Sequence, residues 1–275
     1  MIKSNLTAVI LFAMIFVGSF TLGDNAGLFF NILGLVIVLS GLLGAMFLSY
    51  PAKNIGIACS VAWNAYRIEL PSHNRIIEML MELSVRSRSK GIIALEDAEE
   101  TTTISYLKRT LSLLMDNYRM EEMRDILQTE MYYFKQRRIQ HERLIRHAAR
   151  LAPAFGVAGS VIGLIAMLSG IGDPDVIIKS IPVALTSTLY GIVLSNFFLI
   201  PMAENLHSKT QNELLIQKLI TDGVIAIHYE QNPYRLVRKL ESFLTPAARH
   251  ESQYSFAEIR DKIHDMRDEA TSEVA

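Results

Sequence analysis

Four apolar stretches set the outline of this chain. None contains Asp, Glu, Lys or Arg, apart from Lys179 near one end of the last stretch. At about 1.5 Å per helical residue, each can cross a hydrocarbon core of roughly 30 Å, and the long stem of Lys179 can carry its charge to the interface. The pattern therefore predicts four membrane-spanning helices. They are residues 5–22, 28–50, 152–171 and 176–201.

The polar remainder of the chain has a helical pattern. Apolar residues recur at the 3.6-residue period after Ile76 and again after Ile104, and no strand-like alternation of useful length interrupts them. Residues 120–150 form one arginine-rich pattern that continues into the third span. A further helical pattern runs from 204 to about 229, breaks at Asn232-Pro233 and resumes over 234–244. The predicted fold is an all-α membrane protein.

The same pattern suggests the domain boundaries. Spans 1 and 2 occupy residues 1–50, and the N-terminal stretch is interpreted as a retained span, since another apolar stretch follows almost at once. A helical domain inserted between spans 2 and 3 covers the next hundred residues. Spans 3 and 4 then precede C-terminal helices and a charged tail. These four segments are 51–150, 151–201, 202–249 and 250–275.

The distribution of positive charge predicts the orientation. Of the 27 Lys and Arg residues, sixteen lie in 52–150 and nine follow Pro201, whereas the connections around Asp24 and Asp173 hold none. Basic residues stay on the cytoplasmic side, so we expect an inner-membrane protein with both termini in the cytoplasm. A formal net charge of −1 argues against nucleic-acid binding, and the single cysteine, Cys59, excludes an intramolecular disulfide.

Small and hydroxyl residues form a face on each of the last two spans. On the third span the face includes Gly156, Ser160 and Gly163. The matching residues of the fourth span are Ala184, Ser187, Thr188, Gly191 and Ser195. Such faces let helices pack closely in lipid, and their hydroxyls can bond a neighbour or a passing ion. Packing alone and an ion path both remain open on this pattern.

The absence of Asp, Glu and His from the spans limits which of their groups could contact a passing ion. No span contains Asp, Glu or His, although a chain that moves cations through lipid usually places a titratable group at depth. The candidate ion-path groups are therefore hydroxyls, and a carboxylate would have to come from another subunit. Those hydroxyls belong to Ser160, Thr186, Ser187 and Thr188.

No enzyme signature accompanies the spans. The sequence has no Walker loop, HExxH motif, paired cysteine ligands or serine elbow, and its seven histidines lack metal-ligand spacing. We therefore expect neither an enzyme nor a resident metal or other cofactor.

Several separated motifs resemble the flagellar stator subunits MotA and PomA. Residues 152–164 and 184–191 resemble their third and fourth spans, and residues 86–96 resemble part of their cytoplasmic loop. Gly223, Asn232-Pro233, 240–244 and Pro246 agree in the tail, so the likeness covers about 1–249. The resemblance implies a ring of five copies in the bilayer around a MotB- or PomB-type dimer whose membrane Asp carries the ion. It further implies that Na⁺ or H⁺ flow generates torque on the rotor protein FliG.

The resemblance also assigns individual residues. Arg88 and Glu96 match the charges of the rotor interface, and Pro153 and Pro201 match two prolines that form a conformational hinge. Auxiliary rotor charges are implied for Lys90, Asp97 and Glu99. The alternatives are an ordinary solvated helix face for the charges and a helix start or stop for the prolines.

The coupling ion and the type of motor remain open. Ser160 and Thr188 fall where sodium-driven members present threonine oxygens, which slightly favours Na⁺. An ExbB- or TolQ-like energy transducer is the alternative motor, although those proteins have one span before the cytoplasmic domain, whereas two are predicted here. A helical scaffold that conducts nothing is a third possibility, in which the hydroxyl face serves only packing.

Overall fold

The computed structural model describes most of the chain between residues 11 and 246. The described residues are 11–12, 14–16, 18–19, 26–91, 95–96, 102, 104–116, 118–229 and 232–246. Every regular element among them is helical, which confirms the all-α prediction. Described positions between Leu11 and Ser19 are helical, and a short 3₁₀ turn covers Ala26–Phe29.

Eight α-helices follow that turn within the described part of the chain, and a six-residue π segment, Leu194–Leu199, separates the sixth from the seventh. The helices are α1 (Ile32–Ser49), α2 (Ala52–Arg67), α3 (His73–Lys90), α4 (Ser105–Met115), α5 (Met120–Ser169), α6 (Pro174–Val193), α7 (Ile200–His228) and α8 (Pro233–Glu241).

Among the described residues, three helical runs are long and apolar enough to cross a membrane. They are Ile32–Ser49, Met120–Ser169 and Pro174–His228, which overlap the predicted second, third and fourth spans. The first predicted span, 5–22, lies largely outside the described residues, so the count of four spans stays a prediction. The described residues divide into two compact units, the first within Met1–Asn64 and Gln140–Leu206 and the second within the remainder.

The turn between α5 and α6 follows from its sequence. Gly172 adopts a φ of 108°, a conformation that side chains other than glycine rarely tolerate. Asp173 then caps α6, because its carboxylate accepts a hydrogen bond of 3.0 Å from the Asp175 backbone N–H. Pro174 occupies the first helical position, where a missing N–H costs nothing.

Prolines interrupt the hydrogen bonds of both long membrane helices without ending them. Pro153 lies inside α5 and Pro182 inside α6. Pro201 is the second residue of α7 and follows the π segment after Ile200. The Ile200 N–H donates to the carbonyl of Ser195, five residues back. Because a proline ring collides with the carbonyl four residues earlier, a widened turn is a favourable way to continue the helix. The helix therefore runs through Pro201.

The second unit has a conventional aliphatic core. Its helices α3, α4, α7 and α8 and the first part of α5 bury large side chains that include Ile76, Leu80 and Leu219. Polar bonds connect the same helices: Tyr106 and Thr221 share a hydrogen bond of 2.9 Å between their hydroxyls, and Arg138 contacts Glu213 at 2.9 Å. Burial raises the pKa of Tyr106 to about 12.

The first unit buries smaller side chains. Its cluster combines Leu42 and Met46 of α1 with Leu144 of α5. Alanines of α2 and α5 complete it, namely Ala58, Ala148 and Ala152. Small side chains at these positions let the helix backbones lie close together, which is the usual way of packing helices within a bilayer.

Candidate functional site

The contact between α5 and α6 is built on glycines. A Cβ atom at Gly191 would lie 2.5 Å from the Ala152 carbonyl oxygen, and one at Gly163 would lie 2.6 Å from the Ala184 backbone nitrogen. Gly156 meets the Ser187 carbonyl oxygen in the same way, at 2.9 Å. Since these neighbours are backbone atoms, the two helices lie as close as their main chains permit.

This close approach joins two of the predicted ion-path residues. The Ser160 hydroxyl of α5 hydrogen bonds with the Thr188 hydroxyl of α6 and donates to the Ala184 carbonyl. Thr188 also reaches the Gly156 carbonyl at 3.3 Å. Both side chains are half-buried. Four oxygen atoms, two from hydroxyls and two from carbonyls, therefore gather at one accessible place on the hairpin.

The other two predicted ion-path residues face elsewhere. Thr186 and Ser187 are only 4% and 0% exposed. Their oxygens would lie 3.2 and 2.8 Å from a Cβ atom built at Gly34 of α1, and the Ser187 oxygen would also lie 2.7 Å from one built at Gly159 of α5. Thr186 therefore occupies the contact of α6 with α1, and Ser187 lies between α1 and α5. Each hydroxyl donates to a carbonyl four residues earlier in α6, at 2.7 Å for Thr186 and 2.6 Å for Ser187. The structure does not bring all four hydroxyls together.

A hydrogen bond beside Pro153 was not predicted from the sequence. A proline at 153 cannot donate to the carbonyl of Ala149, four residues earlier. That carbonyl instead accepts a hydrogen bond of 2.7 Å from the Ser195 hydroxyl, which is buried in the π segment. The position of Ser195 on the small-residue face was the available signal, but its partner depends on the packing of two helices.

A second missed contact ties α6 to the start of α1. The Tyr190 hydroxyl accepts a hydrogen bond of 2.7 Å from the Asn31 backbone N–H and donates to the Phe29 carbonyl at 2.5 Å. The Asn31 side chain in turn accepts from the Gly34 N–H at 2.9 Å and caps α1. A tyrosine within an apolar span needs such a partner for its hydroxyl, which was the signal in the sequence.

The predicted rotor charges are only partly described. Arg88 lies near the end of α3, beyond the last large buried side chain of that helix, Leu83, and is exposed. Glu96 is also exposed, and no salt bridge joins either residue to another described residue. Lys90 is the last residue of α3, and Asp97 and Glu99 lie outside the described residues.

The described residues offer no obvious place for a resident metal. No group of three or more His, Cys, Asp or Glu side chains within them could hold one. The charged residues near the turn of the hairpin, Asp173, Asp175 and Lys179, are exposed. The chemistry of the hairpin is thus that of neutral oxygen atoms.

The fold and the hairpin define a class: a helical membrane protein that presents a neutral, oxygen-bearing face between two closely packed apolar helices. Residues 98–218 match the model of the MotA/TolQ/ExbB proton channel family. The chain is 30% identical over 228 residues to the chemotaxis protein PomA of Vibrio alginolyticus, covering 83% of this chain and 89% of PomA. It is also 30% identical to motility protein A of Treponema phagedenis, covering 87% and 92% of the two chains.

A solved structure extends the likeness to three dimensions. The flagellar MotAB stator complex from Bacillus subtilis contains a chain with a TM-score of 0.81 and 27% identity, covering 90% of this chain and 98% of that one. This chain belongs to the MotA family of flagellar stator subunits. The relatives bear MotA and PomA names, so the ExbB- or TolQ-like alternative is not favoured.

Proposed function

We propose that this chain, a flagellar stator subunit by its family, forms a ring of five copies around a MotB- or PomB-type dimer. A cation passes between the ring and the dimer along the α5–α6 face, and its passage turns the ring against the dimer. The cytoplasmic helices transmit the torque to the rotor protein FliG. The solved relative from Bacillus subtilis is a MotAB stator complex, which supports a companion of the MotB type.

The Ser160–Thr188 pair carries this proposal. Its hydroxyls and the carbonyls of Gly156 and Ala184 form an all-oxygen cluster at an accessible place on an otherwise apolar hairpin. Oxygen atoms are the ligands that hard cations prefer. Because the spans contain no carboxylate, the charge that neutralises the cation comes from the membrane Asp of the companion subunit. We propose that Thr186 and Ser187 hold α1 in place beside this path.

Alanine at both hydroxyl positions tests the ion path. Cells carrying Ser160→Ala with Thr188→Ala are expected to lose most of their swimming while keeping normal amounts of the protein in the membrane. Ser40→Ala is the matched control, because this exposed hydroxyl of α1 bonds the Ile37 carbonyl of its own helix and, among the described residues, no other helix. Undiminished swimming in the double variant would favour a scaffold in which the hydroxyls serve packing alone.

We propose Na⁺ rather than H⁺ as the coupling ion, because an oxygen-rich cluster suits a hard metal cation. Swimming speed is expected to rise with external Na⁺ at constant ionic strength and to persist when a protonophore collapses the proton gradient. Swimming that ignores Na⁺ and stops with the protonophore would assign the path to protons and leave the stator function intact.

The rotor contact is proposed at Arg88 and Glu96, with Lys90, Asp97 and Glu99 as auxiliary charges. Exposed opposite charges attract by about 1 kcal/mol or less, which suits contacts that must form and release repeatedly. Arg88→Glu and Glu96→Lys are each expected to reduce swimming. Lys108→Glu, at an exposed position of α4, is the control. Unimpaired motility in both charge reversals would remove these residues from the interface.

The proposed topology places four spans in the inner membrane, with both termini and the segments 51–150 and 202–249 in the cytoplasm and the 250–275 tail beyond them. The lone cysteine offers a direct test. Cys59 is exposed in the structure. A membrane-impermeant thiol reagent added to spheroplasts is expected to spare Cys59 and to label Asp173→Cys in a Cys59→Ser background. The opposite labelling would reverse the orientation.

A further inference from the structure

An arginine-rich cavity of about 650 Å³ opens in the first unit, where α1 ends and the π segment meets α7. It lies beside the interrupted helix turns at Pro153 and Pro201, since the Ala149–Ser195 hydrogen bond forms part of its wall and Ile200 precedes Pro201. Its lining residues are Tyr50, Arg143, Arg146, Ala149, Arg150, Ser195 and Ile200.

The cavity carries more positive charge than its surroundings neutralise. Arg146 is held by two carboxylates, Glu142 at 2.8 Å and Glu204 at 2.9 Å. Arg143 and Arg150 are exposed, and neither forms a salt bridge with another described residue. Two guanidinium groups therefore remain available to an anion. Guanidinium forks suit the oxygens of a phosphate group, which they can contact with two parallel hydrogen bonds.

The cavity also lies where the apolar spans give way to charge. Helix α1 contains no charged residue and ends immediately before Tyr50. On α5, the charge-free stretch begins directly after Arg150. A tyrosine and several arginines at the ends of apolar helices mark the level of lipid head groups. Leu43 and Phe47, on the turns of α1 before Tyr50, are exposed and can meet acyl chains.

We propose that this cavity binds the phosphate head group of an anionic phospholipid from the cytoplasmic leaflet. Arg143 and Arg150 contact the phosphate, while Arg146 stays bound to its carboxylates and shapes the floor. The assignment to that leaflet rests on the orientation given under the proposed function, but the binding itself does not. A basic cavity between membrane helices at the head-group level is a recurrent form of lipid site.

Lipid retention by the purified full-length protein tests the proposal. Native mass spectrometry is used to titrate dioleoylphosphatidylglycerol against dioleoylphosphatidylcholine, which has the same acyl chains and no net charge. The wild-type protein is expected to bind phosphatidylglycerol more tightly. Arg143→Gln with Arg150→Gln is expected to weaken that binding by roughly thirtyfold, since each basic residue near the membrane surface strengthens the attraction to an anionic lipid about fivefold. Binding of phosphatidylcholine should not change.

Two further variants distinguish loss of this site from a general loss of positive charge and from misfolding. Lys135→Gln with Arg137→Gln removes the same charge from exposed positions of the same helix outside the cavity, and is expected to leave lipid binding unchanged. Arg143→Lys with Arg150→Lys keeps the charge but loses the planar forks, and is expected to retain part of the preference for phosphatidylglycerol.

The opposing outcomes are distinct. Equal affinity of the wild-type protein for both lipids would overturn the proposal without any variant. Loss of oligomers in the double glutamine variant with unchanged lipid retention would assign the arginines to a carboxylate of a neighbouring copy. Displacement of the lipid by millimolar inorganic phosphate would indicate a soluble-anion site. Swimming is not the readout, so failure of the proposed ion path leaves this test unaffected.

Discussion

The α5–α6 hairpin and the core of the second unit pack their helices in opposite ways, one with small residues and the other with large ones. In the second unit, fully buried leucines and isoleucines such as Ile76, Leu80 and Leu219 fill the space between helices. In the hairpin, Gly156, Gly163 and Gly191 leave almost no space to fill, and hydroxyls bond across the seam to backbone carbonyls.

The solvent on the other side of each helix explains the difference. Water drives apolar side chains out of contact with it, so large aliphatic residues stabilise the second unit. Lipid tails are as apolar as leucine and give no such drive. Close van der Waals contact and interhelical hydrogen bonds must therefore hold the hairpin. A residue that stabilises one region is expected to damage the other.

The largest effect should come from shortening an aliphatic side chain in the second unit. Leu80→Ala removes a fully buried side chain, and a cavity of that kind costs about 2–5 kcal/mol. Hydrogen exchange at the amides of α3 in the purified protein should accelerate accordingly. Ile68→Ala, at a side chain that is 53% exposed, is the control. Equal protection in both variants would show that this core does not limit opening.

Glycine-to-alanine changes should destabilise the hairpin more than the second unit. At Gly191 the added Cβ would meet the backbone oxygen of Ala152, which cannot move alone, so a cost of about 1–3 kcal/mol is expected. At Gly223 it would meet the methyl groups of Leu80, which can shift, and the gain in helix propensity offsets up to about 1 kcal/mol. Thermal unfolding in detergent measures both.

Gly44→Ala is the control for this pair, because a Cβ built there meets no atom of another described helix within 4 Å. Equal losses at Gly191 and Gly223 would mean that the hairpin can separate as easily as a leucine side chain can turn. The proposed dependence of the hairpin on backbone contact would then be wrong.

A smaller effect is expected where Pro153 leaves a carbonyl without its helical donor. Ser195→Ala removes the hydroxyl that bonds the Ala149 carbonyl and should cost about 1 kcal/mol. Pro153→Ala restores a backbone donor, so the serine change should cost less in that background. Ser49→Ala, an exposed hydroxyl bonded within its own helix, should have little effect. A double-mutant cycle without coupling would contradict this account.

The last effect concerns pH and is confined to alkaline solution. Burial raises the pKa of Tyr106 to about 12, against an ordinary value of about 10 in the unfolded chain. Between these values the unfolded tyrosine ionises while the native one stays neutral, so the second unit should lose stability as pH rises from 10 to 12. Tyr106→Phe should remove that loss. The denaturant midpoint of unfolding is measured at pH 9 and at pH 11. If the midpoint of the Tyr106→Phe variant fell between these pH values as much as that of the wild-type protein, this explanation would be refuted.

The sequence was sufficient to predict the second, third and fourth helical spans and the long α5 helix. A charge-free stretch of about twenty residues has few stable alternatives to a membrane helix, because every backbone polar group must be satisfied within it. The continuous pattern from 120 into the third span appears as the single helix Met120–Ser169. The periodic leucines and isoleucines after Ile76 likewise lie in the core of the second unit.

The rotation of the fourth span about its own axis could not be predicted in the same way. A helix that is apolar on all sides does not reveal which face meets which neighbour, and consecutive hydroxyls necessarily point in different directions. Thr188 therefore meets Ser160, whereas Thr186 and Ser187 meet α1 at Gly34. The π segment was also unpredicted, since the residues of Leu194–Leu199 carry no signal for a widened turn and only Pro201 beyond it favours one.

The π segment before Pro201 has a consequence for helical-wheel diagrams. A wheel drawn at a constant 100° per residue from Pro174 onwards goes out of phase by about one residue after Leu199, because the wide turn accommodates an extra residue. Faces assigned across that junction from sequence alone would be rotated, and paired substitutions chosen on such a diagram would fall on different sides. A homologue lacking one residue here should run in phase throughout.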